Sequence, residues 1–331
     1  MKIAFFETKP WEAEYLKTRL PGFDMEFFGG EGKDASSNAE VLCNFIGFRV
    51  DGKVLSRFPK LRYVTTRSTG YDHIDVEACA KKNILVSNVP TYGENTVAEF
   101  TFALLLSLSR KIYPSVKRIR EEAWFSCDDL QGFDLMGKTI GVIGTGHIGT
   151  YVIKIASGFG MHVIAYDPYP KPELAKVYNF EYVSLEDLLK QAEVVTLHVP
   201  YMPATHHILN SKNLALVKPG AVLVNTARGG LVETAALVEA LKSGRLAGAA
   251  MDVLEEEGFV KEEAEMLLSG HPNEQQLKTV LADHELMHMP NVLITPHNAF
   301  NTKEALTRIL DTTVGNILGF SKNSPINLVK V

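Results

Sequence analysis

Long apolar segments are missing from this sequence, and so is a strong excess of charge of either sign. The nearest candidate for a membrane span, Phe100 to Leu108, contains Thr101 and Ser107 and is too short to cross a bilayer. The 34 basic residues against 39 acidic ones leave a formal net charge of -5, which gives no bias toward nucleic acid. The sequence therefore predicts neither a membrane partner nor a nucleic-acid partner.

Cysteine is scarce as well. The chain has three, Cys43, Cys79 and Cys127, which lie far apart and form no Cys-x-x-Cys pair. This spacing argues against a disulfide framework and against the usual zinc-binding patterns. Because residues 1–7 are typical of a first strand and not of a signal peptide, we expect reduced thiols and a cytoplasmic protein.

What the chain does contain is an alternation of short apolar strands and helical segments. Its 331 residues are enough for two domains, and 46% apolar with 22% charged residues is typical of a globular protein. The alternation is typical of parallel sheets covered by helices on both faces, so we expect an α/β fold. Strands are predicted at residues 2–6, 25–28, 44–47, 63–65, 85–87, 139–143, 162–166, 194–198, 221–225, 248–252 and 292–295.

A glycine-rich motif follows the strand predicted at 139–143 and precedes a helical segment. Gly144, Gly146 and Gly149 have the Gly-x-Gly-x-x-Gly spacing of a dinucleotide-binding turn. In such a turn the first glycine permits a tight bend, the second lets the backbone approach a pyrophosphate, and the third allows close helix packing. The pyrophosphate then lies at the positively polarised N-terminus of the helix. The motif therefore predicts a Rossmann domain that binds a dinucleotide.

The strand predicted at 162–166 indicates which dinucleotide. It ends at Asp167, eighteen residues after Gly149, where a carboxylate can accept hydrogen bonds from the adenine-ribose hydroxyls. Residues 168–171 are Pro-Tyr-Pro-Lys, with no arginine to receive a 2′-phosphate, and the carboxylate would repel that phosphate. We therefore expect NAD as the cofactor in preference to NADP.

The position of the glycine motif indicates how the domains are arranged along the chain. About 140 residues precede it, so a whole domain comes first. A helical segment at 302–319 would return the chain to that domain, which predicts one domain of residues 1–99 plus 300–331 and another of 100–299. The helix expected from 95 to about 113 is apolar nearly all round, which indicates burial against its own domain and against a second subunit in a homodimer.

Three side chains of complementary chemistry follow strands of the second domain. Arg228 follows the strand at 221–225, an acidic stretch from Asp252 to Glu257 follows the next strand, and His297 follows the last. Such strand ends share one sheet edge, where a nicotinamide can meet a substrate. Arginine binds a carboxylate and histidine exchanges a proton with a carbonyl oxygen, which together suit a 2-oxo acid reductase. Taken singly, each has an ordinary explanation as a surface ion pair, a helix-entry residue or a solvated acidic face.

Taken together, these motifs resemble the D-isomer-specific 2-hydroxyacid dehydrogenase family over nearly the whole chain. The segments that carry the resemblance are Arg67–Asp75, Asn95–Glu99, Gly144–Asp167, Leu197–Pro200, Asn225–Gly229, Met251–Val253 and Thr295–His297. Within the family, Pro90–Tyr92, Gly248–Glu257 and the long polar insert Lys261–His288 are most similar to the D-lactate dehydrogenase branch.

The resemblance implies a fold and a set of catalytic roles. It implies two doubly wound parallel-sheet domains, an NAD-binding Rossmann domain being inserted in a discontinuous, flavodoxin-like substrate domain. Arg228 would hold the substrate carboxylate, His297 would be the acid and base, and Glu257, five residues after Asp252, would pair with His297.

The resemblance also assigns binding residues. The Gly70 N–H would add a second grip on the substrate carboxylate, and Tyr92 and Phe300 would line the methyl side of a small pocket. The cofactor would be held by Gly144, Gly146, His147, Ile148, Gly149, Asp167, Val199, Pro200, Thr205, Thr226, Ala227 and Asp252.

Three functional interpretations remain open on the sequence. The leading one is NADH-dependent, reversible reduction of pyruvate or a similar small 2-oxo acid to the D-2-hydroxy acid. The alternatives are a dehydrogenase for a larger 2-oxo acid and an NAD-sensing corepressor that displays a peptide-binding groove. His198, His206 and His207 look like metal ligands, but hydride transfer with an arginine and a histidine in place needs no metal, and none is expected.

Overall fold

The computed structural model describes residues 1–30, 35–255, 257 and 274–330. The chain divides into two compact units, 1–93 with 301–331, and 94–300. The first boundary between the two units lies just before the helix that begins at Glu94. The sequence predicted this boundary at residue 99, inside that helix. The helix belongs wholly to the second unit because it packs along that unit's own helices and strands.

The first unit is built on a five-stranded parallel sheet with the order β2-β1-β3-β4-β5. This order is the flavodoxin-like one, as predicted. The strands are β1 (Lys2–Phe5), β2 (Asp24–Phe27), β3 (Val41–Asn44), β4 (Tyr63–Thr66) and β5 (Leu85–Ser87). The helices are α1 (Pro10–Arg19), α2 (Gly52–Arg57), α3 (Val76–Lys81) and, from the end of the chain, α12 (Lys303–Ser321).

Both faces of this sheet are buried. Ile3 and Phe5 of β1 pack on the face covered by α1 and α12, and Ala4 packs on the opposite face. Alternate residues of a strand point to opposite faces, so a sheet covered on both sides has apolar residues at every position. That is why the strands of this unit appear in the sequence as short continuous apolar runs.

One strand of this unit is not where the sequence predicted it. The strand expected at 44–47 lies at Val41–Asn44, and the apolar residues after it form a loop. The backbone N–H groups of Phe45, Gly47 and Phe48 donate to the Glu7 carboxylate at 3.0, 2.9 and 2.9 Å and not to a neighbouring strand. A distant side chain therefore ends the strand, which the local pattern could not reveal.

The second unit contains a seven-stranded parallel sheet with the order β12-β11-β10-β9-β6-β7-β8. The order reverses between β6 and β9, as in a Rossmann fold, so the predicted fold class is confirmed for both units. Its strands are β6 (Thr139–Ile143), β7 (His162–Tyr166), β8 (Glu181–Tyr182), β9 (Val194–Leu197), β10 (Ala221–Asn225), β11 (Leu246–Met251) and β12 (Val292–Ile294).

Eight described helices accompany this sheet, with a 3-10 turn at Gly229–Leu231. They are α4 (Glu94–Ser109), α5 (Ile112–Glu122), α6 (His147–Gly158), α7 (Pro172–Tyr178), α8 (Leu185–Gln191), α9 (Ser211–Leu214), α10 (Thr234–Lys242) and α11 (Glu274–His288). The end of the polar insert is thus helical, and its residues 261–273 lie outside the described part of the chain. Within that part, no helix combines the length and apolarity that crossing a membrane requires.

The helix predicted to run to Tyr113 is in fact two helices. It ends at Ser109, and Lys111, with a left-handed φ of 53°, turns the chain into α5. The Ser109 carbonyl accepts a hydrogen bond from the Phe133 N–H at 3.0 Å, and a Cβ on Gly132 would overlap that carbonyl. A returning loop therefore ends the helix where its own sequence continues the helical pattern.

Candidate active site

The glycine motif forms the turn between β6 and α6. Gly144 has a φ of +99°, and a Cβ there would lie 2.8 Å from the His198 backbone, so only glycine suits the position. A Cβ on Gly149 would overlap the Gly144 carbonyl, which explains the close packing of α6 on the turn. Gly146 has nothing within 4 Å of its Cβ position and no side chain caps α6. The turn thus leaves open space at a helix N-terminus, which suits a pyrophosphate.

Asp167 lies beside this turn at the end of β7. Its Oδ2 accepts hydrogen bonds from the N–H and the hydroxyl of Thr145 at 2.7 and 2.9 Å, and its Oδ1 accepts one from the Tyr169 N–H at 2.9 Å. These bonds fix the carboxylate next to the glycines with acceptor capacity left for ribose hydroxyls. His147 is exposed and Ile148 half-buried at the start of α6. The residues present therefore suit NAD.

The loops after β9 and β10 hold the other residues expected to contact the cofactor. Thr205 donates its hydroxyl hydrogen bond to the Pro200 carbonyl at 2.6 Å, which folds the loop that begins at Val199. The Thr226 hydroxyl is buried and lies 2.9 Å from the Thr101 hydroxyl of α4. Thr226 therefore links the loop to α4, a role that its place in the sequence motif did not reveal.

Arg228 is held at the tip of a turn by its neighbours. The Asn225 side chain accepts a hydrogen bond from the Ala227 N–H at 3.0 Å and donates one to the Arg228 carbonyl at 2.9 Å. A Cβ on Gly229 would overlap the Leu254 carbonyl, so the turn lies directly against the loop that follows β11. Asn225 thus positions Arg228. It was not predicted from the sequence as a functional residue, although it is the first residue of the Asn-Thr-Ala-Arg motif.

Asp252 organises the segment that carries His297. It is 1% exposed and its carboxylate accepts hydrogen bonds from the Thr295 hydroxyl and from the N–H groups of Asn298 and Ala299, each N–H at 2.8 Å. The Asp252 carbonyl also accepts the His297 N–H at 2.8 Å. Burial raises the pKa of the Asp252 carboxyl, and these donors and the nearby His297 oppose the rise. The bonds hold His297 in a left-handed conformation with a φ of 50°.

The His297 ring is paired with one glutamate of the acidic stretch. Its Nδ1 lies 2.9 Å from Glu257 Oε2, and both side chains are largely buried. Because an ionised carboxylate only accepts hydrogen bonds, Nδ1 carries the hydrogen and Nε2 is the nitrogen that can exchange a proton. Phe300 packs edge-on against the ring with the two centroids 6.3 Å apart. The structure thus brings His297, Glu257 and Phe300 together.

Glu255 and the three histidines that look like metal ligands in the sequence lie apart from the His297 pair. Glu255 Oε1 lies 2.6 Å from His207 Nε2, and the rings of His206 and His207 stack. His198 bonds to the Thr196 hydroxyl at 2.9 Å, and burial lowers its pKa to about 3, so it is neutral at pH 7. In the described residues no group of three potential ligands is arranged to hold a metal ion.

Gly70 and Tyr92 belong to the first unit, whereas Arg228, Glu257, His297 and Phe300 belong to the second. Gly70 follows β4, and its carbonyl accepts a hydrogen bond from the Ser68 hydroxyl at 2.7 Å. The half-buried Tyr92 accepts one from Arg308 at its carbonyl. Their assignment to the substrate remains a prediction.

Comparisons with known proteins show which family the chain is similar to. The model of the "D-isomer specific 2-hydroxyacid dehydrogenase, NAD binding domain" matches residues 102–299. A 2-hydroxyacid dehydrogenase homolog of Zymomonas mobilis is 38% identical, with 96% of each chain covered. The D-lactate dehydrogenase of Escherichia coli is 34% identical, with 97% of each covered. The crystal structure of D-lactate dehydrogenase from Aquifex aeolicus, complexed with NAD and lactic acid, has a TM-score of 0.88 at 33% identity and covers 99% of this chain and 98% of its own.

Proposed function

The chain belongs to the D-isomer specific 2-hydroxyacid dehydrogenase family, and we propose that within it the protein is a D-lactate dehydrogenase that reduces pyruvate with NADH. Membership makes it an NAD-dependent D-2-hydroxyacid dehydrogenase, and the resemblance expected from its motifs is confirmed. The preference for pyruvate is the proposed part. The observation that carries the reaction is the pairing of His297 with Glu257 at a strand end of the NAD-binding unit.

Arg228 and His297 have different roles in the proposed reaction. The planar guanidinium of Arg228 binds the substrate carboxylate and polarises the adjacent carbonyl group. Bound NADH supplies the hydride that reduces the carbonyl carbon. His297 Nε2 donates a proton to the carbonyl oxygen, which gives the 2-hydroxy acid, and the neutral ring then takes a proton from solvent. In the reverse direction the neutral ring removes the hydroxyl proton.

Glu257 keeps His297 ready for this step. The Glu257 carboxylate lies 2.9 Å from Nδ1 and fixes the ring so that Nε2 faces away from the carboxylate. The hydrogen bonds around Asp252 fix the backbone that carries His297. Together these contacts hold the ring in one orientation, with Nε2 available to donate and take up a proton.

Phe300 supports a small substrate. It lies edge-on to the His297 ring, so an aromatic wall stands next to the group that would touch the substrate oxygen. Such a wall leaves less room for a branched or long side chain than an open loop would. Pyruvate has only a methyl group to place beside Phe300, whereas a larger 2-oxo acid would need Phe300 to move aside.

The test is the rate of NADH oxidation with a panel of 2-oxo acids from glyoxylate and pyruvate to 2-oxoisocaproate, followed by chiral analysis of the product. Pyruvate should give the highest kcat/KM, and the product should be D-lactate. A preference for a larger acid would keep the mechanism and overturn the substrate. No turnover with any acid, despite tight NADH binding, would overturn the enzyme and direct attention to a corepressor role.

We also propose a homodimer, through α5 and not through α4. The sequence indicated that α4 is covered by a second subunit, but its apolar residues pack mainly inside their own unit. The uncovered apolar face is on α5, and near it Phe125 is 95% exposed. The exposed apolar residues of α5 are Ile112, Tyr113, Val116 and Ile119.

Light scattering on the wild-type protein and on Ile119→Asp tests this surface. The wild type should have twice the 36.6 kDa mass of one chain, and the variant should shift toward the single mass because a buried charge without a partner is costly. Asp at an exposed position on another helix, Val177→Asp of α7, is the control and should stay dimeric. A wild type of 36.6 kDa would overturn the proposal.

We place the protein in the cytoplasm. Cys43 and Cys79 are buried free thiols, and burial raises their pKa to about 12 and about 11. Such thiols react slowly and need no disulfide partner, which suits a reducing compartment. Labelling by a thiol reagent should therefore be fast at the exposed Cys127 alone, and rapid labelling of all three would count against this reading.

A further inference from the structure

The loop after β11 carries two glutamates that face different histidines. Glu257 faces His297, and Glu255, two residues earlier, faces His207 at 2.6 Å. The Glu255 side chain is 15% exposed and that of His207 is 28% exposed. The proposed reaction uses only the first of these pairs, so the second needs its own explanation.

Glu255 is held from more than one side. Its Oε2 accepts hydrogen bonds from the Thr234 hydroxyl at 2.8 Å and from the Thr234 N–H at 3.2 Å, at the first residue of α10. Its Oε1 takes the bond from His207. An acidic side chain at a helix N-terminus is stabilised by the free N–H groups and the dipole there. Glu255 therefore anchors the loop to α10 and to the segment that carries His207.

The anchored segment is the one that delivers Glu257. Gly229, next to Arg228, lies so close to the Leu254 carbonyl and the Glu255 N–H that a Cβ would overlap both. The Leu254 N–H in turn donates to Glu257 Oε1 at 3.3 Å. Leu254, Glu255 and Glu257 thus contact the Arg228 turn, His207 and His297, so the anchor at Glu255 lies two residues from the partner of His297.

A partly exposed ion pair far from a site would contribute little to stability and nothing to catalysis. The surroundings of this pair point to more. His207 is in the loop after β9, and Glu255 is in the loop that carries Glu257, the partner of His297. The pair therefore joins the loop after β9 to the loop of the acid–base pair.

We propose that Glu255 and His207 are positioning residues, whose hydrogen bond anchors the chain just ahead of Glu257 so that Glu257 reaches His297 Nδ1. The inference rests on the proposed function of Glu257. Neither residue has a role of its own in the proposed reaction. Loss of either one lets the loop relax and leaves His297 without a fixed partner, and misplacement by about 1 Å can cost on the order of a hundredfold in rate.

The experiment compares Glu255→Ala, His207→Gln and the double variant with the wild type in 2-oxo acid reduction. Each single change should lower kcat by about five- to a hundredfold, with the KM for NADH within about twofold of the wild type. The double variant should be no slower than the slower single one, because both remove one interaction.

Two further variants make the outcome decisive. Glu285→Ala removes the exposed ion pair between α11 and Lys242 of α10, and its kinetics should match the wild type. Glu257→Gln should reproduce the slower kcat in stronger form. If Glu257→Gln behaves as wild type, the proposed function of Glu257 fails. If it is impaired while Glu255→Ala and His207→Gln lose only thermal stability, the positioning role alone is overturned. Should Glu255→Ala not fold, the kcat and the KM for NADH of His207→Gln decide the question.

Discussion

Each of the two sheets has an arginine that follows one of its parallel strands, and the two side chains have different surroundings. Arg67, after β4, is 2% exposed, pairs with Glu12 at 2.8 Å and donates to the carbonyls of Phe6 and Glu7. Arg228, after β10, is half-buried and lies at the tip of a turn. There the Asn225 side chain donates a hydrogen bond to the Arg228 carbonyl. The same residue type after a parallel strand is thus part of the core in one unit and half-exposed in the other.

Two glutamates, one in each unit, differ in the same way. In the first unit the Glu7 carboxylate is surrounded by three backbone N–H groups, which end a strand and close a loop. In the second, Glu257 meets the ring of His297, a group that can take up and release a proton. A charged residue after a strand thus has a structural role where backbone N–H groups or a buried ion pair satisfy its hydrogen-bonding capacity. It becomes a candidate for chemistry where its partner can titrate.

The largest effect is expected at His297. His297→Asn suits the left-handed backbone there, since asparagine tolerates a positive φ, but an amide cannot deliver a proton. Turnover of the 2-oxo acid should fall by roughly two to four orders of magnitude, while NADH binding measured by fluorescence stays close to that of the wild type. The exposed His162→Asn is the matched control. A rate near that of the wild type would remove His297 from the mechanism.

Arg67 should affect stability more than chemistry. Arg67→Met leaves Glu12 buried without its partner, which should lower the free energy of unfolding by about 3–5 kcal/mol in urea titrations. Arg62→Met, which removes an exposed pair with Glu40, should change it by less than about 1 kcal/mol. The double variant Glu12→Leu with Arg67→Met should recover part of the lost free energy of unfolding. If the two single arginine variants are equally stable, the contrast between buried and exposed arginines is wrong.

Arg228→Lys should damage substrate binding specifically. Lysine keeps the charge but lacks the planar fork, so the KM for the 2-oxo acid should rise about ten- to a hundredfold, with the KM for NADH unchanged. The control is Arg245→Lys in the same unit, where the side chain donates to the Val217 carbonyl. Unchanged affinity for the acid in steady-state kinetics would contradict the assignment of Arg228.

The smallest effect concerns the dependence of stability on pH through His198. Burial lowers its pKa to about 3 in the folded protein, whereas an unfolded histidine titrates near 6.5. The unfolded chain therefore binds the proton first as the pH falls, and the folded state loses stability from about pH 6.5 toward pH 3. His198→Gln should lower the Tm at pH 7.5 and make it fall less between pH 7 and pH 4.5. Parallel Tm curves for the two proteins would show that His198 is not the group responsible.

Local patterns were sufficient for much of the fold. The glycine spacing and Asp167 predicted the turn between β6 and α6, because the turn depends on the φ of Gly144 and the packing at Gly149. The prediction of a strand at 44–47 was wrong because a contact between distant parts of the sequence decides the structure there. Its residues are apolar enough for a strand, but their N–H groups bond to Glu7, almost forty residues away in the sequence.

The two parallel sheets, the NAD-binding turn and the residue types at the strand ends follow from the sequence, because they depend on backbone conformation and on apolar periodicity. Which glutamate faces which histidine follows from the tertiary structure, since side chains of neighbouring loop residues point in directions set by the loop path. The burial of Arg67 and the exposure of the apolar face of α5 also depend on the packed structure. Burial and direction are properties of the packed chain, and hydrogen bonds between distant segments fix both.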